Sequence, residues 1–189
     1  MPFDIASGLH LPGQDHELAR REERLADLGL DPHQGDAQFD EAARRLAEAA
    51  GTPYAMVNLI TDQQYFVGLH TPDAPSDPTA EAAAPVGRIM SREHGYCPAV
   101  LERRKPLVLH DVYSAPRFSS NPVVDELGIR VYYGAPLIDH RSGTVLGTVC
   151  AVGPEPRTLD TSRDALEMIK QFRDQVLAQI YRRAGEPLP

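Results

Sequence analysis

The spacing of apolar residues predicts two helices in the first part of the chain. Within residues 15–28, three leucines recur at spacings of seven and three, a narrow seam that favours packing against a partner helix. These leucines are Leu18, Leu25 and Leu28. From Phe39 onward, apolar residues recur at i, i+3, i+4, i+7, i+8 and i+11, which predicts a helix that packs on a core and ends at Gly51.

Strands are predicted mainly in adjacent pairs, because alternating apolar runs are separated by short polar turns. The first two strands form a hairpin, and Gly143 marks the turn between the last two. The five predicted strands are Tyr54–Ile60, Gln64–His70, 106–110, 130–138 and 144–152.

Helical segments lie between the predicted strands and after the last one. A short irregular helix ends near residues 103–105, and a helix of one to two turns is predicted near Pro122–Leu127. Apolar residues at helical spacing over 165–180 predict a long closing helix. Runs of adjacent strands flanked by helices indicate an α+β protein with a largely antiparallel sheet, not a repeating βαβ unit.

Two segments are too poor in large apolar residues to form core elements. Residues 1–13 are predicted to be a flexible leader, and 71–85, with four prolines, a mobile surface loop. We therefore divide the chain into this leader, an N-terminal helix and linker over 14–35, a domain over 36–183 and a tail over 184–189.

Composition and charge exclude several classes of protein. The 189 residues are 42% hydrophobic, which supports one compact domain. Nineteen basic against 27 acidic residues give a net charge of −8, which counts against nucleic acid or an anionic membrane as a partner. Most of this charge lies in the first 40 residues, an acidic arm. Without a membrane span or a signal peptide in the sequence, we expect a cytoplasmic protein.

Several short motifs follow one another along the chain in a particular order. The first motifs are Gly-Thr-Pro at 51–53 after a helix, Gly-Tyr-Cys at 95–97, and Pro-Leu-Val-Leu-His-Asp at 106–111. They are followed by Pro-Arg-Phe at 116–118 with Asn-Pro at 121–122, by Tyr-Tyr-Gly-Ala-Pro-Leu at 132–137, and by Gly-Thr-Val-Leu-Gly-Thr-Val-Cys at 143–150 before the closing helix. Over about residues 36–183, this order and spacing resemble the GAF domain family, small-molecule sensor modules of signalling proteins. The resemblance implies a twisted antiparallel sheet of five to six strands. It also implies N- and C-terminal helices on one face, with short helices and loops over a pocket on the other.

The resemblance also implies which residues line that pocket. In family members that bind cyclic nucleotides, the segment after the Arg-Phe position lies against the ligand, which here is Phe118 to Asn121. From the family geometry we expect Tyr133, rather than Tyr132, to face the pocket. The full set of expected ligand-binding residues is Phe66, Tyr96, Cys97, Val100, Phe118, Ser119, Ser120, Asn121, Val124 and Tyr133.

The segment 119–128 also has a purely structural interpretation. Ser120 or Asn121 is suited to cap a short helix, Pro122 to occupy its first position and Gly128 to end it. The capping rule explains each of these residues without a ligand. We therefore keep both interpretations of the segment.

Cys97 is the candidate for redox chemistry. It precedes Pro98, which suits the first turn of a helix, and a thiol at a helix N-terminus has a lowered pKa. The alternative is a small apolar residue packed under the pocket roof. Cys150 lies within a predicted strand and is expected to be buried and inert. Whether the two cysteines bond to each other depends on their geometry.

Cofactor and enzyme signatures are weak in this sequence. Free methionine-(R)-sulfoxide reductases of the family carry a catalytic cysteine in the loop that here spans 117–121, where no cysteine stands. Bilin-binding members usually have His after the attachment cysteine, whereas Pro98 follows Cys97. His70, His94 and His110 match no zinc signature. We predict neither an enzyme nor a metal site, and the sequence identifies no cofactor.

The leading hypothesis is a cytoplasmic regulatory module that binds a small organic ligand of unidentified chemistry. It would signal through its helical face, as a homodimer formed by the N- and C-terminal helices, to a signalling protein partner. The alternative is a ligand-free module for dimerisation or protein interaction, with a redox-active Cys97 as a third hypothesis.

Overall fold

The computed structural model describes residues 3–4, 9–10, 13–72 and 86–188. Most of the loop predicted to be mobile, 71–85, lies outside the described residues, as does most of the predicted leader. Within the leader, β1 (Phe3–Asp4) pairs with β2 (Leu9–His10). None of the helices in the described ranges has the length and apolar character needed to cross a bilayer.

Six α-helices and six further strands follow in the rest of the described chain. The helices are α1 (Leu18–Asp27), α2 (Ala37–Ala50), α3 (Cys97–Arg103), α4 (Pro116–Ser119), α5 (Pro122–Leu127) and α6 (Ser162–Ala184). The strands are β3 (Tyr54–Ile60), β4 (Gln64–His70), β5 (Ile89–Met90), β6 (Leu107–Leu109), β7 (Val131–Ile138) and β8 (Val145–Gly153). Their order along the chain is α1-α2-β3-β4-β5-α3-β6-α4-α5-β7-β8-α6. Short 3₁₀ turns lie at Val112–Ser114 and Leu159–Thr161.

The six strands β3 to β8 form one antiparallel sheet in the order β5-β4-β3-β8-β7-β6. The predicted α+β class and the sheet of five to six strands are confirmed. Strand β8 is central, because it pairs with β3 on one side and with β7 on the other. All nine residues of β8 are buried.

Each face of the sheet carries its own hydrophobic core. Helices α2 and α6 cover one face, where Leu46, Ile169 and Ile180 pack against side chains of the central strands. Helices α3 and α5 cover the other face, where Val100 and Val123 are buried. Successive side chains of a strand point to opposite faces, so every strand contributes to both cores.

Capping residues and glycines mark the ends of α2 and α5. The Asp36 carboxylate accepts from the backbone N–H groups of Gln38 and Phe39 at the start of α2, and Gly51 ends α2 with φ of 60°. At α5, the predicted capping by Asn121 and termination by Gly128 are both confirmed. The structural interpretation of 119–128 is therefore correct for the helix itself.

Helix α1 packs against its own chain. Leu25 and Leu28 are buried in the core beneath α2 and α6, so these two leucines of the predicted seam lie within the protomer and do not face another molecule. Arg21 is fully buried beside them, and its Nε donates to the carbonyl oxygen of Val145 at 2.5 Å. Asp15 forms an ion pair with the same guanidinium.

A second ion cluster joins α1 to the β7–β8 turn and to the end of α6. The Arg24 guanidinium donates to both carboxylate oxygens of Asp139 at 3.1 Å and also pairs with Glu186 at 2.6 Å. The Tyr181 hydroxyl donates to Asp139 as well. Burial alone would raise the pKa of Asp139, but hydrogen bonds from Arg24 and Ser142 outweigh it and hold that pKa well below its usual range.

Replacing this buried carboxylate is expected to destabilise the fold. Asp139→Asn should lower the free energy of unfolding at neutral pH by about 2 kcal/mol, because the half-buried Arg24 keeps Glu186 but loses the buried Asp139 carboxylate. Folding lowers the pKa of Asp139, so the stabilisation is present at neutral pH and is lost in acid, as the pH falls below about 4. Urea unfolding at several pH values measures both effects, and the variant should show the shallower dependence on acid.

Asp174→Asn is the matched control for Asp139→Asn. Asp174 lies on the exposed side of α6 and, in the described part of the chain, its ion pair is with its neighbour Arg173, so its loss should cost less than about 0.5 kcal/mol. Equal losses in the two variants would contradict a special role for the Asp139 cluster.

Candidate ligand pocket

A small cavity lies between the sheet and the roof formed by α3, α5 and the loop before α3. Its volume is about 40 Å³, enough for about three water molecules. Apolar side chains form most of its wall. The lining residues are Met56, Gln64, Phe66, Met90, Gly95, Tyr96, Cys97, Val123, Leu127, Ile129, Tyr132, Cys150 and Val152.

Asn121 holds two parts of the roof together. Its side-chain oxygen accepts from the backbone N–H of Gly95 at 2.8 Å and from that of Val123 at 3.4 Å, which caps α5. Its side-chain nitrogen donates to the carbonyl oxygen of Gly95 at 2.9 Å. Gly95 has a φ of 73°, a left-handed conformation that favours glycine. Asn121 therefore joins α5 to the loop that carries Tyr96 and Cys97.

Buried polar side chains hold the same loop from the sheet. The Gln64 amide donates to the carbonyl oxygens of Ser91 at 2.6 Å and His94 at 2.8 Å. Asn58 in turn donates to the Gln64 side-chain oxygen at 3.2 Å. Both amides are almost fully buried. The sequence signal for them is a polar residue within an otherwise apolar strand.

Tyr96 packs between two other rings in the cavity wall. Its ring lies edge-on to Phe118, with centroids 5.7 Å apart, and to Tyr132, with centroids 5.0 Å apart. The buried Tyr96 hydroxyl has no hydrogen-bond partner among the residues that the structure describes. Burial raises the pKa of Tyr96, so the hydroxyl keeps its proton at neutral pH.

Two free thiols meet at one side of the cavity. The sulfur atoms of Cys97 and Cys150 lie 3.5 Å apart, and the Tyr132 hydroxyl lies 3.5 Å from Cys97. The thioether of Met56 lies 3.9 Å from Cys150. Hydrogen bonding to Cys150 lowers the pKa of the Cys97 thiol to about 7, whereas the same contact and burial raise the pKa of Cys150.

The expected site residues divide into several groups in the structure. Phe66, Tyr96 and Cys97 line the cavity. Val100 and Val124 belong to the core around it but not to its lining.

The polar residues expected before and in α5 serve the helices themselves. Ser119 donates to the carbonyl oxygen of Pro116 within its own short helix, and Ser120 is exposed. Asn121 acts as the link between α5 and Gly95, and Phe118 supports the Tyr96 ring from outside the cavity lining.

The expected orientation of the two adjacent tyrosines is reversed. Tyr133 lies in the core under the helices, while Tyr132 lines the cavity. Alternation along β7 requires opposite faces for the pair, but only the register with β8 decides which residue faces which way. Met56, Cys150 and Val152 also line the cavity but were not among the expected residues. They face it because successive side chains of a strand alternate between the two faces of the sheet.

Metal-ligand geometry is not found in the part of the chain that the structure describes. No three His, Cys, Asp or Glu side chains there are grouped so that they hold an ion. Separately, the cavity wall is mostly apolar, as is common in sites for organic ligands.

An antiparallel sheet with long helices on one face and a roofed cavity on the other defines a two-layered α+β domain. The family model described as GAF domain matches residues 34–180. The chain therefore belongs to the GAF domain family, whose members are typically regulatory sensor modules.

Known proteins similar to this chain include an enzyme much longer than the match. A cyclic di-GMP phosphodiesterase of Pseudomonas aeruginosa is 28% identical over 175 residues, which cover 90% of this chain and 26% of that protein. The chain thus spans about a quarter of the length of this relative.

Two solved structures show the same fold. The GAF domain of an Acinetobacter phosphoenolpyruvate-protein phosphotransferase matches with a TM-score of 0.56 and 14% identity, over 92% of this chain and 97% of that chain. The free methionine-R-sulfoxide reductase of Neisseria meningitidis, in complex with its substrate, matches with a TM-score of 0.54 and 16% identity. That match covers 94% of this chain and 96% of the reductase.

The Asn121 link is expected to stabilise the roof. Asn121→Ala removes one donor and one acceptor facing Gly95 together with the cap of α5, and should lower the free energy of unfolding by about 2 kcal/mol. Chemical denaturation measures this loss. Ser119→Ala, in the neighbouring exposed helix, is the control and should cost less than about 0.5 kcal/mol. A neutral Asn121→Ala variant would contradict the link.

Proposed function

We propose that the protein is a cytoplasmic regulatory module that binds a small organic ligand in this cavity. The observation that carries the proposal is the buried Tyr96 hydroxyl without a partner among the described residues, on a side chain of the cavity wall. A buried hydroxyl without a hydrogen bond costs about 1–3 kcal/mol. The ligand-free protein therefore bears this free-energy penalty. A ligand that forms a hydrogen bond with the Tyr96 hydroxyl removes the penalty, and this strengthens its binding.

Further polar atoms lie on the same face of the sheet. The side-chain oxygens of Asn58 and Thr148 are buried and also have no hydrogen-bond partner among the described residues. Thr148 stands two residues before Cys150 on β8 and so points to the cavity side. This set favours a compact ligand with an apolar body and one or a few hydrogen-bonding groups.

Binding such a ligand requires the roof to move. Sites for organic ligands commonly measure about 300–1,000 Å³, whereas this cavity measures about 40 Å³. The ligand would displace α3 and α5 from the sheet, and a ligand that prefers this displaced arrangement shifts the population of the whole domain toward it. The signal in this proposal is that displacement.

The small cavity also favours a second candidate function. A module for dimerisation or protein interaction needs no ligand, and a nearly filled core on the roofed side suits it. In this alternative the helices and the acidic amino-terminal segment are the working surfaces. The two candidates differ in whether any small molecule stabilises the fold.

The output of the module is proposed to be another signalling protein. The phosphodiesterase relative contains a segment similar to this chain within a protein about four times as long. We assign no phosphodiesterase activity to the present chain, and we propose a binding role instead of an enzymatic one.

Native mass spectrometry of protein purified from its own host tests the ligand proposal. A bound species of defined mass, released on denaturation, is the expected result, and the identified molecule should raise the unfolding temperature of the purified protein. Tyr96→Phe should reduce this thermal shift while leaving the ligand-free protein equally or more stable, since the substitution removes the unpaired hydroxyl.

Tyr113→Phe is the matched control, because Tyr113 is exposed and outside the cavity lining. It should leave the ligand-dependent shift unchanged. Repeated absence of a bound species, with no shift by nucleotides, amino acids or haem, would reject the sensor and favour the interaction module.

The proposed homodimer is assigned to α6. Because Leu25 and Leu28 of α1 are buried internally, we place the contact with a second protomer on α6. Four large apolar side chains of this helix are only partly buried within the protomer. They are Leu166, Met168, Phe172 and Leu177.

Light scattering should therefore give twice the 20.8 kDa mass of the chain at micromolar concentration. Leu166→Glu should give the monomer mass, because a charge at the centre of an apolar interface is not tolerated. Ile89→Glu, an exposed position at the sheet edge, should remain a dimer. A monomer in the unaltered protein would refute the assignment.

A further inference from the structure

We propose that Cys97 and Cys150 are a redox-modification site, which forms a reversible intramolecular disulfide when the protein meets a hydroperoxide. The site goes beyond the proposed ligand-binding role and does not depend on it. It places a two-electron reaction in the cavity wall, between the roof and the central strand of the sheet.

The fold brings together two residues that are 53 positions apart in sequence. Cys97 begins α3 in the roof, and Cys150 lies in the middle of β8. Their sulfur atoms are 3.5 Å apart, and a disulfide requires about 2.05 Å. Closing the gap requires the sulfurs to approach by about 1.5 Å, through rotation of the two side chains and movement of α3 toward the sheet.

The two thiols differ in chemical character. The contact with Cys150 favours the thiolate of Cys97, and the Tyr132 hydroxyl, 3.5 Å from the Cys97 sulfur, acts in the same direction. Cys150 keeps its proton, since its pKa is raised. Cys97 is thus the attacking group and Cys150 the resolving group.

The reaction balances with a hydroperoxide as the oxidant. The Cys97 thiolate attacks one oxygen of the O–O bond, that bond breaks, and the leaving oxygen takes a proton to form water or an alcohol. The product on Cys97 is a sulfenic acid. The Cys150 sulfur then loses its proton and attacks the Cys97 sulfur, the S–O bond breaks, and water leaves. Two thiols have lost two electrons and two protons, and a cellular dithiol returns both by thiol–disulfide exchange.

The burial of the two sulfurs does not prevent this reaction. Cys97 and Cys150 are 5% and 2% exposed, so a bulky reagent is excluded. Both side chains nevertheless line the cavity of about 40 Å³, and hydrogen peroxide is only slightly larger than the water molecules that such a volume holds. The cavity thus has room for the small oxidant, whereas reduction by a dithiol requires the roof formed by α3 and α5 to open.

The experiment exposes the full reduced chain to hydrogen peroxide, denatures it in acid and labels the remaining thiols with an alkylating reagent. Intact mass spectrometry should show a monomer that has lost two hydrogens and takes up no label. Peptide mapping should find Cys97 joined to Cys150, and a dithiol should restore both labels. The cross-link should raise the midpoint of thermal unfolding by at least about 5 °C.

Two variants separate the roles of the cysteines, which are the only two in the chain. Cys150→Ser should accumulate a sulfenic acid on Cys97 that a dimedone-type reagent traps, whereas Cys97→Ser should react at least about tenfold more slowly. The same oxidation in guanidinium should form the disulfide more slowly than in the native protein, because the fold no longer holds the sulfurs together.

Other outcomes overturn the proposal. The first is that both thiols still take up label after the native protein has been treated with peroxide. The second is a disulfide that joins two molecules, and the third is a cross-link that forms only in guanidinium. If the serine variants do not fold, the cross-link in the unaltered protein and its dependence on the native fold still decide the question. Detection or absence of a bound ligand has no bearing on this test.

Discussion

The pairing of strand β8 with β3 and β7 is the constraint on which the rest of the structure depends. All nine residues of β8 are buried, so both faces of this strand must be covered and no position on it is free to meet water. Gly147 shows how closely the strands approach, since a side chain there would collide with the carbonyl oxygen of Asn58 in the neighbouring strand. The covering on one face is α2 and α6, and on the other it is the roof. The two faces of β8 thus contribute side chains to two separate hydrophobic cores.

The same strand connects the cavity to the helical face. Cys150 and Val152 point into the cavity, and their neighbours Val149 and Ala151 pack under the helices. A side chain of β8 that shifts on the cavity side displaces a backbone that the helices also contact. The buried ions add to this connection, because Arg21 binds the first residue of β8 and Arg24 binds the turn before it. Helix α1 is therefore fixed to the strand that bears the cavity wall, as well as to the end of α6.

The parts of this structure that local patterns determine could be predicted from the sequence. Strands β3 and β4 have the predicted bounds because period, turn residues and length agree there, and α5 follows from its capping residues alone. The short elements β5 and α4 were missed, since two to four residues carry no period. The orientation of Tyr132 and Tyr133 depends on pairing with a strand that is distant in sequence. The leucine spacing correctly predicted helix α1, but Leu25 and Leu28 pack in the core of their own chain instead of against a separate partner helix. Periodicity identifies an apolar face of a helix but not what covers that face.

The chemistry of the site is concentrated where long-range hydrogen bonds hold one short loop from two sides. Gln64 fixes the carbonyls of Ser91 and His94 from the sheet, and Asn121 fixes Gly95 from the roof. Tyr96 and Cys97 follow directly, so their side chains are placed against the sheet with little freedom. A hydroxyl without a partner and a thiol beside a second thiol are both costly or reactive when they are buried. Simple packing at these two positions would need only a phenylalanine and an alanine, so the hydroxyl and the thiol support the binding and redox roles proposed above.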